Sequence, residues 1–419
     1  MDLPPELIAA IVSDVGSTAD LRACTLAARR FRFPCQQRLL GTLWLGDKGG
    51  GRKGYLEAAA RFERWPHLAP LVRTLDLAVG RVPYRWAGVD GAEEAIAGLF
   101  ARLACVTALT VFGDNDDWRN VTPILADALA RWLAGRPPGA FRHVSFVFLW
   151  DIPRAVVHAV FRALAPHAQV NFEMATLDGA PSRELAPYMH TMPPFGLHVQ
   201  AGPRVERTLA EPEFRPYVQG LRTLLVPVKH GPAVLDSMRL CEAAAGNLEH
   251  LQLLREAGGL DPDYADLVLP PCLPALTHLT LDVASLAAEL RTGTRLAALL
   301  TGVVLPLLRP AVTPRLAAVT LRSPLASDRA RELSLLVDSP GFLVHVLREE
   351  AAQACLRLID DALASPGRRT ARLALVFTMH PAGQSLARAA AHRQLILPEL
   401  ARSLQGVARE GRLDVVVDV

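Results

Sequence analysis

Leu273-Pro274-Ala275-Leu276-Thr277-His278-Leu279-Thr280-Leu281 places apolar side chains at its first, fourth, seventh and ninth positions. The closing alternation is the period of a strand with one buried face. The same apolar-x-x-apolar-x-apolar pattern stands at Val72, Leu75 and Leu77, at Val106, Leu109 and Val111, and at Phe141, Val144 and Phe146. A chain that is 51% apolar generates such triplets by chance, so their spacing decides. At the middle apolar position, Val144, Val170, Leu197, Leu224, Leu251 and Leu279 are separated by 26, 27, 27, 27 and 28 residues. His167 and Pro194 stand where two copies want an apolar leading residue. The spacing loosens to 34 and 35 before Val144 and to 40 between Leu279 and Val319, which places insertions at both ends.

Between these strands the period changes to that of a helix. Val156, Val157, Val160, Phe161 and Leu164 form an amphipathic run between Pro153 and Pro166, and Val234, Leu235, Met238 and Cys241 form another that Gly246 can end. A strand followed by a helix at roughly 20 to 29 residues is the period of a leucine-rich repeat, in which each unit leaves an apolar face for its neighbour to cover. The fold class is therefore α/β, with strands near 75, 109, 144, 170, 197, 224, 251 and 279 side by side and parallel, and helices on the outer face. Toward the end, 330–364 reads as mainly helical, Leu373-x-Leu375-x-Phe377 and Leu413 to Val417 read as strands, and Leu395 to Leu404 read as a helix between them; this tail is taken as a terminal cap.

The first 45 residues carry a different pattern. Asp2 can cap a helix that tolerates Pro4 and Pro5 in its first turn, and Leu3, Leu7, Ile8, Ile11, Val12 and Val15 recur at helical spacing until Gly16. Ser17 or Thr18 can cap a second helix holding Leu21, Cys24, Leu26 and Ala28. Pro34 is expected to open a third with Leu39, Leu40 and Leu43. Helices this short are marginal without a partner or a neighbouring domain.

The residues Leu3-Pro4-Pro5-Glu6-Leu7-Ile8, Asp20-Leu21-Arg22-Ala23-Cys24-Thr25-Leu26 and Arg29-Arg30-Phe31 resemble the F-box motif, and the passage from Leu43 to Leu77 resembles the segment that joins this motif to the first repeat in fungal F-box proteins. The resemblance implies residues 1–45 as an adaptor-docking module and 46–419 as an irregular leucine-rich-repeat-like array with its cap. It implies a Skp-family adaptor and a cullin complex as partners, with a protein target on the array. The adaptor contacts it implies are Leu3, Pro4, Leu7, Ile8, Ile11, Leu21, Cys24 and Leu26. Ala27-Ala28 stands where the family commonly has Val-Cys, which leaves less side chain to bury. A leucine-rich-repeat scaffold or recognition protein without ligase partnership is the alternative.

Composition narrows the remaining classes. A net charge of +3 gives no electrostatic reason for nucleic acid or an anionic membrane. Six scattered cysteines without a Cys-x-x-Cys pair fit a reducing compartment rather than a zinc module. The run from Leu296 to Leu308 is too short for a membrane span, and no secretion signal is read at the start, so an intracellular protein is expected. Lys48, Lys53 and Lys229 are the only lysines, a scarcity that fits either a codon bias or a ligase subunit escaping its own ubiquitin.

No enzyme is expected. Gly46 to Lys53 lacks the Lys-Ser/Thr end of a phosphate loop, and Asp114, Asp116 and Asp117 lack the glycine and glutamate of a calcium loop. These aspartates are read as a polar loop after the Leu109 strand. The histidines show no metal-ligand spacing, Asn120-Val121-Thr122 is a sequon only formally, and there is no Gly-x-Ser-x-Gly elbow. No cofactor or metal is expected.

Overall fold

The computed structural model describes residues 3–46, 53–79, 89–178, 192–200, 204–228, 231–255, 268–283, 294–324, 340–378 and 386–418. The chain divides into two compact units, Met1–Phe195 with Ala201–Val205, and Gly196–Gln200 with Glu206–Val419.

The first unit opens on three helices, α1 (Pro5–Asp14), α2 (Thr18–Ala27) and α3 (Arg29–Leu40). Strands β1 (Thr42–Leu45), β2 (Thr74–Ala78), β3 (Ala108–Asp117), β4 (Phe141–Trp150) and β5 (Leu164–Glu173) follow in chain order, each parallel to the one before. Helices α4 (Lys53–Arg64), α5 (Ala92–Arg102), α6 (Pro123–Ala134) and α7 (Arg154–Arg162) form the crossovers and pack in succession, α4 on α5, α5 on α6 and α6 on α7. The second unit holds β6 (Phe195–Gln200) from its second residue on, β7 (Leu221–Pro227), β8 (His250–Arg255), β9 (His278–Val283), β10 (Ala318–Pro324), β11 (Arg372–Thr378) and β12 (Leu413–Asp418). Its pairings from β7 to β12 are parallel.

The expected anchors fall opposite one another. Leu43 pairs with Leu75, Leu75 with Leu109, Leu109 with Val144, and Val144 with Val170. In the second unit Leu224, Leu251, Leu279, Val319, Leu373 and Leu413 form the equivalent row. The triplets at 72, 75 and 77, at 106, 109 and 111, and at 141, 144 and 146 are completely buried. Between them Thr74, Asp76, Thr110 and Ser145 point to the other face. The strands alternate because helices cover only one side of the sheet; a parallel sheet covered twice would need continuous apolar runs. The strands at 372–378 and 413–418 carry the parallel pairing on into the region read as a cap.

Five strands, β2, β3, β4, β9 and β10, are pinned to the one before at their entry. The Gly41 carbonyl accepts from Arg73 N and Thr74 N at 2.8 and 2.9 Å, the Arg73 carbonyl from Thr107 N and Ala108 N at 2.8 and 3.0 Å, and the Thr107 carbonyl from Arg142 N and His143 N at 2.7 and 3.3 Å. The Glu249 and Thr277 carbonyls repeat the arrangement in the second unit. Arginines tie the turns just outside this ladder. Arg136 donates to the carbonyls of Ala104 and Val106 at 2.6 and 2.7 Å, Arg368 to those of Leu308 and Arg309 at 2.7 and 2.9 Å, and Arg412 to those of Ala371 and Leu363 at 2.7 and 3.1 Å. One planar guanidinium with five donors satisfies several carbonyls at once, which an ammonium cannot do in the same geometry. The scarcity of lysine thus has a structural side. Lys48 and Lys229 lie outside the described residues, and so do His190, His230 and His380.

Four sequence expectations are corrected. Leu43 is in β1, not in a third helix; that helix begins at Arg29, carries Pro34 inside it and stops at Leu40. Leu164 starts β5 instead of ending the preceding helix. Leu404 follows a helix that stops at Ser403. Asp114 to Asp117 are not a loop, because β3 runs through them across a bulge between Phe112 and Asp116, with Asp114 and Asn115 at φ 50 and 60°. Gly113 makes this path available: a Cβ there would lie 2.4 Å from the Phe148 carbonyl oxygen.

Candidate docking surface

The N-terminal helices form through local chemistry and then bury little. The Pro4 carbonyl accepts from Leu7 N and Ile8 N at 3.1 Å to start α1, and the Ser17 hydroxyl caps α2 by accepting from Ala19 N and Asp20 N at 3.2 and 3.4 Å. An Arg38 guanidinium on α3 donates to the Val12 carbonyl at the end of α1. The core among the three helices is Ile8, Val12, Leu21 and Cys35, with Val15, Cys24, Phe31 and Leu39 packed around it at partial exposure.

The nominated contact residues separate into two groups. Ile8 and Leu21 are in that core at 5% exposure, and Cys24 packs against it, so these three hold the helices to one another. Leu7 and Ile11 lie along the neighbouring side of α1, at 51 and 45% exposure, and Leu3, just before the helix, is 47% exposed with Pro4 exposed beside it. Leu26, at the end of α2, is 85% exposed. Phe33 on α3, 62% exposed, joins this set although the sequence reading passed over it. No signal in the sequence separates it from Phe31, two residues earlier in the same arginine-rich stretch and packed against the core. Ala27 and Ala28 are both exposed.

Large apolar side chains left in water are worth about 1 to 2 kcal/mol each on burial, so this stripe stores binding energy that folding has not used. Its surroundings carry both signs: Glu6, Asp14 and Asp20 against Arg22, Arg29, Arg30 and Arg32, all exposed.

A second surface is the outward row of each unit's strands. In the first unit the Ser145 hydroxyl lies 3.0 Å from His143 Nε2, and Asn171 Nδ2 donates to it at 3.1 Å, which ties β4 to β5. In the second unit the His250 and His278 rings stack at 4.3 Å with their planes 10° apart, and one row on Gln252 donates to the Asp282 carboxylate, with Arg322 at 3.8 Å. Burial raises the Asp282 pKa, with Gln252 and Arg322 opposing it. Burial and the neighbouring His250 lower that of His278. These are polar side chains on a regular grid, of which Ser145 is itself buried.

Among the described residues no group of three or more His, Cys, Asp or Glu could hold a metal ion. The Asp117 carboxylate is instead clamped by Arg119 at 2.7 Å, which lowers its pKa, and Arg119 reaches Asp151 at 2.6 Å. No described helix is long and apolar enough to cross a membrane. No protein-family model matches the chain, and no curated protein matches it significantly.

Proposed function

We propose that the chain is a substrate-recruiting subunit of a cullin-RING ubiquitin ligase, in which α1 to α3 dock a Skp-family adaptor and the polar rows of the strands receive a protein target. The observation that carries the reading is the exposed Leu3, Leu7 and Ile11 stripe, on a module whose sequence resembles an F-box. Catalysis then belongs to partner subunits, and neither cofactor nor metal is required. The setting is intracellular on this reading.

Titration calorimetry with a purified Skp-family adaptor tests it. The wild-type chain should bind, and Leu7→Asp, which sets a charge in the contact, should weaken binding by about a hundredfold. Equal binding by wild type and variant would remove the F-box assignment. A wild-type chain that binds no adaptor would favour the second reading, a repeat scaffold without a ligase. The small, exposed Ala27 and Ala28 are the observation on that side.

A further inference from the structure

Cys24 and Cys35 stand on adjacent packed helices, α2 and α3. Cys35 has no exposed surface and belongs to the small core, while Cys24 is half-buried against it. Burial raises the Cys35 pKa, and the neighbouring Cys24 thiol raises it further. The surrounding module is held by only four buried side chains, so small relative movements of its helices cost little.

We infer that Cys24 and Cys35 form a redox modification site, which a low-molecular-weight disulfide of the glutathione class converts to an intramolecular disulfide joining α2 to α3. Exposure sets the order of events. The Cys24 thiolate, reached from solvent, attacks one sulfur of the reagent; that S–S bond breaks and one small thiolate leaves. The mixed disulfide now sits on Cys24. The Cys35 thiolate then attacks Cys24 Sγ, the mixed disulfide breaks, and the second small thiolate leaves. Two protein thiols lose two electrons to the reagent, and their two protons end on the two released thiols. The sulfurs must close to about 2 Å for the second step, a shift that the lightly packed helices permit.

The remaining cysteines provide internal controls. Cys241 and Cys355 are buried and their pKa values are raised, that of Cys241 to about 12, so like Cys35 they should not attack the reagent directly, and neither is in the small core against which Cys24 packs. Neither should react. Cys105 and Cys272 are half-buried and should form only mixed disulfides.

The test treats the full chain with oxidised glutathione, quenches it with acid and maps tryptic peptides without reduction. Cleavage after Arg22, Arg29, Arg32 and Arg38 puts the two cysteines on separate peptides, so the bond appears as a linked pair. The expected product is 23–29 joined to 33–38, with proteolysis of the intact oxidised protein between α2 and α3 slowed by about tenfold. Cys24→Ser should abolish the linked pair and leave Cys35 unmodified. A stable glutathione adduct on Cys24 with Cys35 still free, a link from Cys24 to a different cysteine, or two thiols that stay reduced would each overturn the inference.

Discussion

The helices at 5–40 and the strands that follow them in the same unit meet water in opposite ways. In β2, β3 and β4 and the residues leading into them, all three apolar residues of each triplet lose all contact with solvent. In α1 the apolar residues lie on two sides, and Ile8 and Val12 are covered while Leu7 and Ile11, with Leu3 just before the helix, are left out. The difference lies in neighbours: a strand in the array has another on each side and a helix beneath it, whereas α1 packs mainly against α3. Stability is thereby concentrated in the array, and unused apolar surface in the helices.

Leu109→Ala probes the array where burial is complete, and should lower unfolding stability by about 3 to 4 kcal/mol in urea titrations followed by circular dichroism. An unchanged midpoint would break the comparison at its stronger end. Glu206→Gln sharpens it further. Glu206 is 3% exposed, accepts from the Ser237 hydroxyl at 3.4 Å, and burial raises its pKa to about 7. With the folded value above the unfolded one, its contribution is fully present below about pH 4.5 and is lost as pH rises through 7. The variant should therefore be more stable than the parent at pH 8, by on the order of 2 to 3 kcal/mol, and nearly equal to it at pH 5; equal stability of the two at both pH values would show the carboxyl to be solvated. The smallest effect belongs to Leu7→Asp, which should change unfolding stability by less than about 0.5 kcal/mol because the side chain is already half in water. A large loss would mean that Leu7 supports the fold.

How much of this was legible follows from the same contrast. The strands could be read because their apolar period is 2 and their anchors recur at nearly constant spacing. β1 escaped because Thr42-Leu43-Trp44-Leu45 is four residues long and follows a helix directly, so Leu43 continues the helical spacing of Leu39 and Leu40 equally well. The end of β3 escaped because Gly113-Asp114-Asn115-Asp116 has the composition of a turn; only the β4 backbone beside it keeps it in the sheet. In the docking helices the sequence marks which residues are apolar but not which side is covered. Periodicity on α1 is satisfied by both faces, and the split between Ile8 and Leu7 emerges only once Leu21 and Cys35 are in place.

The paired hydrogen bonds at strand entry have a consequence for how such a chain can change. Because two backbone N–H groups converge on one carbonyl before the preceding strand at the entries of β2, β3, β4, β9 and β10, alignment is reset at each of these repeats. The length of chain in between leaves no memory. Leu251 and Leu279, 28 residues apart, and Leu279 and Val319, 40 apart, are equally well matched. Insertions and deletions between strand and helix therefore need no compensation elsewhere, and a short polypeptide grafted into any of these connections should be carried without disturbing its neighbours.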